Sequence, residues 1–150
     1  MTSLLPRSEG YLPLYILFVS TFAVGVTAIG NAIQCYTTLS YTQRLYPGQP
    51  STSTSKTSNA QSSPVTPLSS RTFGTWTIAV GLVRVFAAYH IHEASWYQMQ
   101  MLTNIIGLVH FSMEAFVYKT TRPSGPWLAP ISVALIGTLW SIAQYDFYVR

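Results

Sequence analysis

From Leu12 to Cys35 the chain runs for about 24 residues without a formal charge, and that stretch limits the folds open to it. At about 1.5 Å per helical residue, such a run crosses a hydrocarbon layer of about 30 Å with some tilt. Pro13 suits the first turn of a helix, where its missing N–H is not needed. Small and weakly polar residues along the run (Ser20, Thr21, Ala23, Gly25, Ala28, Gly30) allow close helix packing. Three further apolar runs follow, and Asp, Glu, Lys and Arg together make up only 8% of the chain. Soluble domains carry about a quarter. A chain of 150 residues could not coat a water-facing surface with so few charges. A bilayer is the better solvent for its outside.

The expected fold is therefore all-α. One membrane domain covers 1–150, with four transmembrane helices in a small bundle at about 12–35, 73–92, 96–118 and 127–145. Tyr36 to Tyr46 suits an interfacial helix, with Tyr41, Arg44 and Tyr46 at the headgroups. Pro47 to Pro67 is rich in Ser, Thr and Pro. It cannot bury enough apolar surface to offset its ordering entropy, so a flexible loop is expected there. His90-Ile91-His92-Glu93 makes a polar turn between spans two and three, and Pro123, Pro126 and Pro130 open the fourth. The N-terminal segment shows no cleavage pattern, so the first helix is expected to be retained. The loops after spans one and three carry Arg44, Lys56, Arg71, Lys119 and Arg122; the opposite side carries Arg7 and Arg150. That bias predicts cytoplasmic loops and luminal termini.

Several function classes are excluded. A net charge of +4 spread over eight basic residues is too sparse for a nucleic-acid surface. Cys35 is the only cysteine, which rules out an intramolecular disulfide and a cysteine zinc site. Three histidines are too few for a His-box di-iron enzyme. His90 and His92 sit at a membrane edge while His110 lies about 21 Å from it, which defeats a bis-His haem. No dinucleotide fingerprint, phosphate loop or serine elbow occurs. The reading is of no cofactor, no metal and no catalytic residue.

Helical rise sorts the buried polar groups by depth. Arg84 lies about 13 Å in from the Glu93 turn and Asn104 about 12 Å in from Trp96, in a central layer. Asn31, Gln34, Thr75, His110 and Glu114 fall in a second layer toward the basic loops. A charge at the centre of a span costs about 2.5–3.5 kcal/mol, so Arg84 must face the bundle, a polar cavity or a partner. His110 and Glu114, four apart, share one helical face. They form either a hydrogen-bonded pair locking the bundle or an acid/base pair acting on a lipid-soluble substrate, as in a sterol double-bond isomerase.

A family resemblance rests on particular strings. These are Gly10-Tyr11-Leu12-Pro13, Asn31 with Ile33-Gln34 and Tyr36, and above all Leu68-Ser69-Ser70-Arg71-Thr72-Phe73-Gly74-Thr75-Trp76-Thr77. Arg84, His110-Phe111, Glu114, and Gly125-Pro126 followed by Pro130 continue it. Together they resemble the ergosterol biosynthetic protein 28 family of the endoplasmic reticulum. Thr52 to Ser63 departs from it as an extended loop. The resemblance implies a non-catalytic membrane scaffold. Such a scaffold gathers the sterol C-4 demethylation enzymes: the C-4 methyl oxidase, the C-4 decarboxylating dehydrogenase and the 3-keto reductase, joined by the sterol C-24 methyltransferase. It supplies no catalytic residues. Arg71, Thr72, Gly74, Thr75, Trp76, Arg84, Asn104, His110, Glu114, Asn31 and Gln34 stand as candidates for structural, partner or ligand contacts. A small sterol-binding isomerase and a sterol or lipid carrier are the alternatives. Small-residue faces on spans one and four allow a homodimer.

Overall fold

The computed structural model describes residues 12–48 and 63–149, with side chains from residue 21 onward in the first helix. The expected loop falls mostly on 49–62, outside the described residues, as do Arg7, Lys56 and Arg150. Among the described residues every regular element is helical. In chain order these are α1 (Leu12–Thr37), α2 (Ser40–Leu45), α3 (Pro67–Tyr89), α4 (Ala94–Ser112), α5 (Leu128–Ala143) and α6 (Tyr145–Tyr148). A π-helical turn, Met113–Val117, prolongs α4.

The helix boundaries differ from expectation for local reasons. α3 starts at Pro67 rather than Phe73, because Thr66 caps it. The Thr66 hydroxyl accepts from Ser69 N–H at 3.1 Å, and the Ser69 hydroxyl accepts from Thr66 N–H at 2.9 Å. This reciprocal box satisfies two donors, and Pro67 fills the position where no donor is wanted. The Arg71–Thr77 string is thus helical throughout. At the end of α4 the chain widens: Tyr118 N–H reaches Met113 O at 2.9 Å. Lys119 then takes a left-handed backbone (φ 55°), which lets Thr120 N–H reach Glu114 O at 2.9 Å. α5 is shorter than the expected 127–145 and hands over to α6 at Gln144.

α1 lies along α3, α4 joins α3 to α5, and α1 and α5 barely touch. Glycines set the α1–α3 crossing. A Cβ on Gly25 would sit 2.9 Å from Gly81 O, and a Cβ on Gly81 would sit 2.9 Å from Gly25 O. Gly74 serves the same end one layer away, where a Cβ would meet Cys35 Cβ at 2.9 Å and the Tyr36 ring at 3.0 Å. Small residues of this kind let helix backbones approach closely.

The side-chain distribution is inverted. On α5, Ala134, Thr138 and Ser141 face inward while Leu135, Ile136, Leu139 and Ile142 face outward. On α4, Gln100, Thr103 and Asn104 are buried while Leu102, Ile105, Ile106 and Val109 are exposed. Apolar packing concentrates at the two ends. Ala88, Ile91, Tyr97 and Tyr148 pack at one, and Leu45, Tyr46, Phe111 and Trp127 at the other. Among the described residues α3 is the one helix both long and apolar enough to cross a membrane. α5 is apolar but shorter. Gln98, Gln100, Thr103 and Asn104 lower the apolarity of α4.

Candidate functional site

The central layer is a chain of buried amides ending on a guanidinium. Arg84, only 6% exposed, donates through Nη2 to Asn104 Oδ1. Asn104 Nδ2 donates to Gln100 Oε1 at 3.1 Å, and Gln100 Nε2 donates to Ser141 Oγ at 2.6 Å. The Tyr97 hydroxyl donates to Ser141 O at 2.8 Å. Gln100 and Asn104 meet because they are four apart on α4. Gly137 makes room on α5, where a Cβ would lie 3.0 Å from Asn104 Nδ2. Arg84 Nε and Trp140 Nε1 are buried and have no hydrogen-bond partner among the described residues. Both residues line one cavity of about 260 Å³, together with Thr21 and Val24 of α1, Gln100 and Asn104 of α4, and Ser132, Val133, Ile136 and Gly137 of α5.

The second layer is built differently from the expectation. His110 and Glu114 are not a hydrogen-bonded pair. His110 Nε2 bonds the Tyr46 hydroxyl at 2.7 Å, and a Glu114 carboxylate oxygen accepts from the Thr120 hydroxyl. The reason is the π turn: Glu114 lies inside it, so the four-residue register with His110 at the end of α4 is lost. Burial, and then the Glu114 carboxylate, push the Tyr46 phenol above its ordinary range. A protonated phenol can donate to Nε2 or accept from it, and the imidazole tautomer sets the direction of this bond. His110 also packs against Phe73 and Phe111. His110 and Glu114 do share a wall, in a groove of about 790 Å³ with Tyr46, Thr72, Phe73 and Trp76.

The remaining candidates scatter. Asn31 is half-buried beside Tyr41, while Gln34 is exposed. Thr75 shares a 2.5 Å hydrogen bond with the Tyr36 hydroxyl and donates to Arg71 O at 3.0 Å. Arg71, Thr72 and Trp76 face outward, and Gly74 is buried in the α1 contact. Sequence reasoning missed Thr42 and Ser70, whose hydroxyls meet at 2.9 Å while Ser70 donates to Cys35 O at 2.9 Å. It also missed Gln100, which its four-residue spacing from Asn104 could have revealed. Tyr46, Ser141 and Trp140 carry no comparable signal.

A protein-family model described as Erg28 like protein matches residues 12–139. The chain belongs to the Erg28 family. It is similar to the ergosterol biosynthetic protein 28 of Gibberella zeae, at 34% identity over 97% of this chain and 95% of that protein. The Saccharomyces cerevisiae protein of the same name is 27% identical over 98% of this chain and 88% of its own length. The human ergosterol biosynthetic protein 28 homolog is 32% identical over 77% of this chain and 75% of its own. No solved structure matches the chain. Erg28 relatives are thus named for ergosterol biosynthesis in fungi, and a homolog of them occurs in an animal.

Proposed function

We propose that the protein is a non-catalytic, four-span scaffold of the endoplasmic reticulum membrane. It tethers the sterol C-4 demethylation enzymes (C-4 methyl oxidase, C-4 decarboxylating dehydrogenase and 3-keto reductase) in ergosterol synthesis. The observation that carries this reading is the inverted side-chain distribution. Buried polar networks pin the centre of the bundle while Leu, Ile, Val and Phe cover its outside. Such a surface is stable against lipid and against apolar partner helices. α1, α3, α4 with its π turn, and α5 with α6 supply the four spans. Tethering works by effective concentration: sequential enzymes held together pass reactive intermediates without new chemistry in the tether. The separate partners of His110 and Glu114 also favour a structural role over a proton relay.

The test is co-purification of the demethylation enzymes from cells with and without this protein. Their association is expected to fall apart in its absence. Intact association without it sinks the scaffold. Conversion of a sterol by the purified protein, lost in His110→Ala, would instead favour the isomerase.

A carrier role is the second reading, favoured by the cavity beside Arg84.

A further inference from the structure

We propose that the cavity beside Arg84 binds a lipid with a single carboxylate head, admitted sideways between α1 and α5. The idea rests on the reading above that the bundle spans a bilayer.

Arg84 is buried at the level of the glycine crossing, with Nε directed to no acceptor and Trp140 Nε1 in the same condition. Both residues line one cavity, and their unpaired donors lie just beneath its surface. Among the described residues no acidic side chain is assigned to Arg84. Glu93 pairs with His90 at 2.7 Å, Glu114 accepts from Thr120, and Asp146 is exposed on α6. Among the described residues, the hydrogen-bond partner of the guanidinium is the neutral Asn104 amide. A buried cation paired only with an amide is costly, and an anion brought by a ligand removes that cost. A guanidinium is matched in shape by a carboxylate, which takes parallel N–H bonds from it.

The walls decide the rest of the ligand. Apart from the polar floor, the cavity is lined by Val24, Val133, Ile136 and the Trp140 ring. Val133 and Ile136 also show on the outer face of α5, which makes little contact with α1. A volume of about 260 Å³ takes a head and the first part of a hydrocarbon body, with the remainder lying along that face. A carboxylic acid can cross hydrocarbon neutral and ionise against Arg84. A phosphodiester headgroup stays charged and must be dragged to the same depth. Fatty acids and ring-carboxylated sterols share this chemistry.

The experiment uses the full chain in lipid nanodiscs and photoactivatable, alkyne-tagged probes. Two probes are acids, one a fatty acid and one a sterol with a ring carboxylate; two are the matched alcohols. Both acids, or one of them, are expected to label α1 near Val24 and α5 near Ile136, and the preferred acid names the source. Arg84→Gln is expected to lower labelling roughly tenfold or more. Trp140→Phe, which keeps the ring and removes the donor, is expected to lower it about threefold with an unchanged melting temperature. The proposal is overturned if the alcohols label as well as the acids, if neither acid labels, or if both variants label like the parent. Co-purification separates this from the scaffold reading. Lost labelling with intact enzyme capture removes only the site, and labelling at Arg84 without capture removes only the scaffold.

Discussion

Single side chains in this bundle are judged by whether their polar atoms find partners. Tyr148 does not: its hydroxyl is buried without a partner among the described residues, and its ring lies against His92 and Tyr97. A buried donor left unpaired costs about 1–3 kcal/mol, so Tyr148→Phe is expected to be neutral or to stabilise by about 1 kcal/mol. Thermal unfolding in detergent reads the effect. Ser141 is the opposite case, because it accepts from Gln100 and its carbonyl accepts from Tyr97. Removing its hydroxyl strands a buried amide, and a polar contact within a helix bundle in lipid is worth about 0.6–1.7 kcal/mol. Ser141→Ala should lower the unfolding midpoint, and an unchanged midpoint would show that the Gln100 amide had found another partner. Arg84 and Asn104 were placed at one depth by counting residues, and they are hydrogen-bonded. The same counting put His110 and Glu114 on one face; they line one groove, but each takes its own hydrogen-bond partner.

Helices are placed by their contacts and ends. The α1–α3 crossing is backbone on backbone at Gly25 and Gly81, so a side chain there meets a carbonyl rather than a yielding rotamer. Gly81→Val is expected to cost at least the roughly 1–3 kcal/mol typical of overpacking, more than any one polar bond in the central layer. Loss of the folded fraction on size exclusion would register it, and parent-like behaviour would deny the glycines their packing role. At the start of α3, Thr66→Ala removes a hydroxyl that accepts from Ser69 N–H. About 1 kcal/mol of helix stability should go with it. Faster hydrogen exchange confined to the first turn of α3 checks this. Helix existence was legible because long apolar runs admit little else. The early start of α3 was also legible in Thr66-Pro67-Leu68-Ser69, although the apolar pattern begins only at Phe73. The π turn was not: nothing in Met113 to Val117 signals a widened ring in its spacing.

For the molecule as a whole, the proposed four spans and the orientation expected from the basic loops make a direct prediction. Ser95 opens α4 at one end of the bundle and Ser124 sits in the basic turn at the other; both are exposed. Single cysteines at these positions, with buried Cys35 replaced by Ser, should react from opposite sides of sealed microsomes. Ser124→Cys is expected to label from the cytosol and Ser95→Cys only after permeabilisation. The reverse pattern would invert the orientation, and labelling of both from one side would remove an odd number of crossings.

Composition and hydrophobic run lengths determined by themselves that the chain is helical and in what order its helices follow. They also put Arg84 and Asn104 at one depth, because helical rise is a constant of the backbone. Tertiary structure alone decided which polar groups touch. Partnerships such as Tyr46 with His110, Thr120 with Glu114 and Ser141 with Gln100 depend on helix rotation, glycine contacts and one widened turn. The same rotation places Arg84 and Trp140 on one cavity with donors unused, a fact about packing that spacing along the chain does not contain.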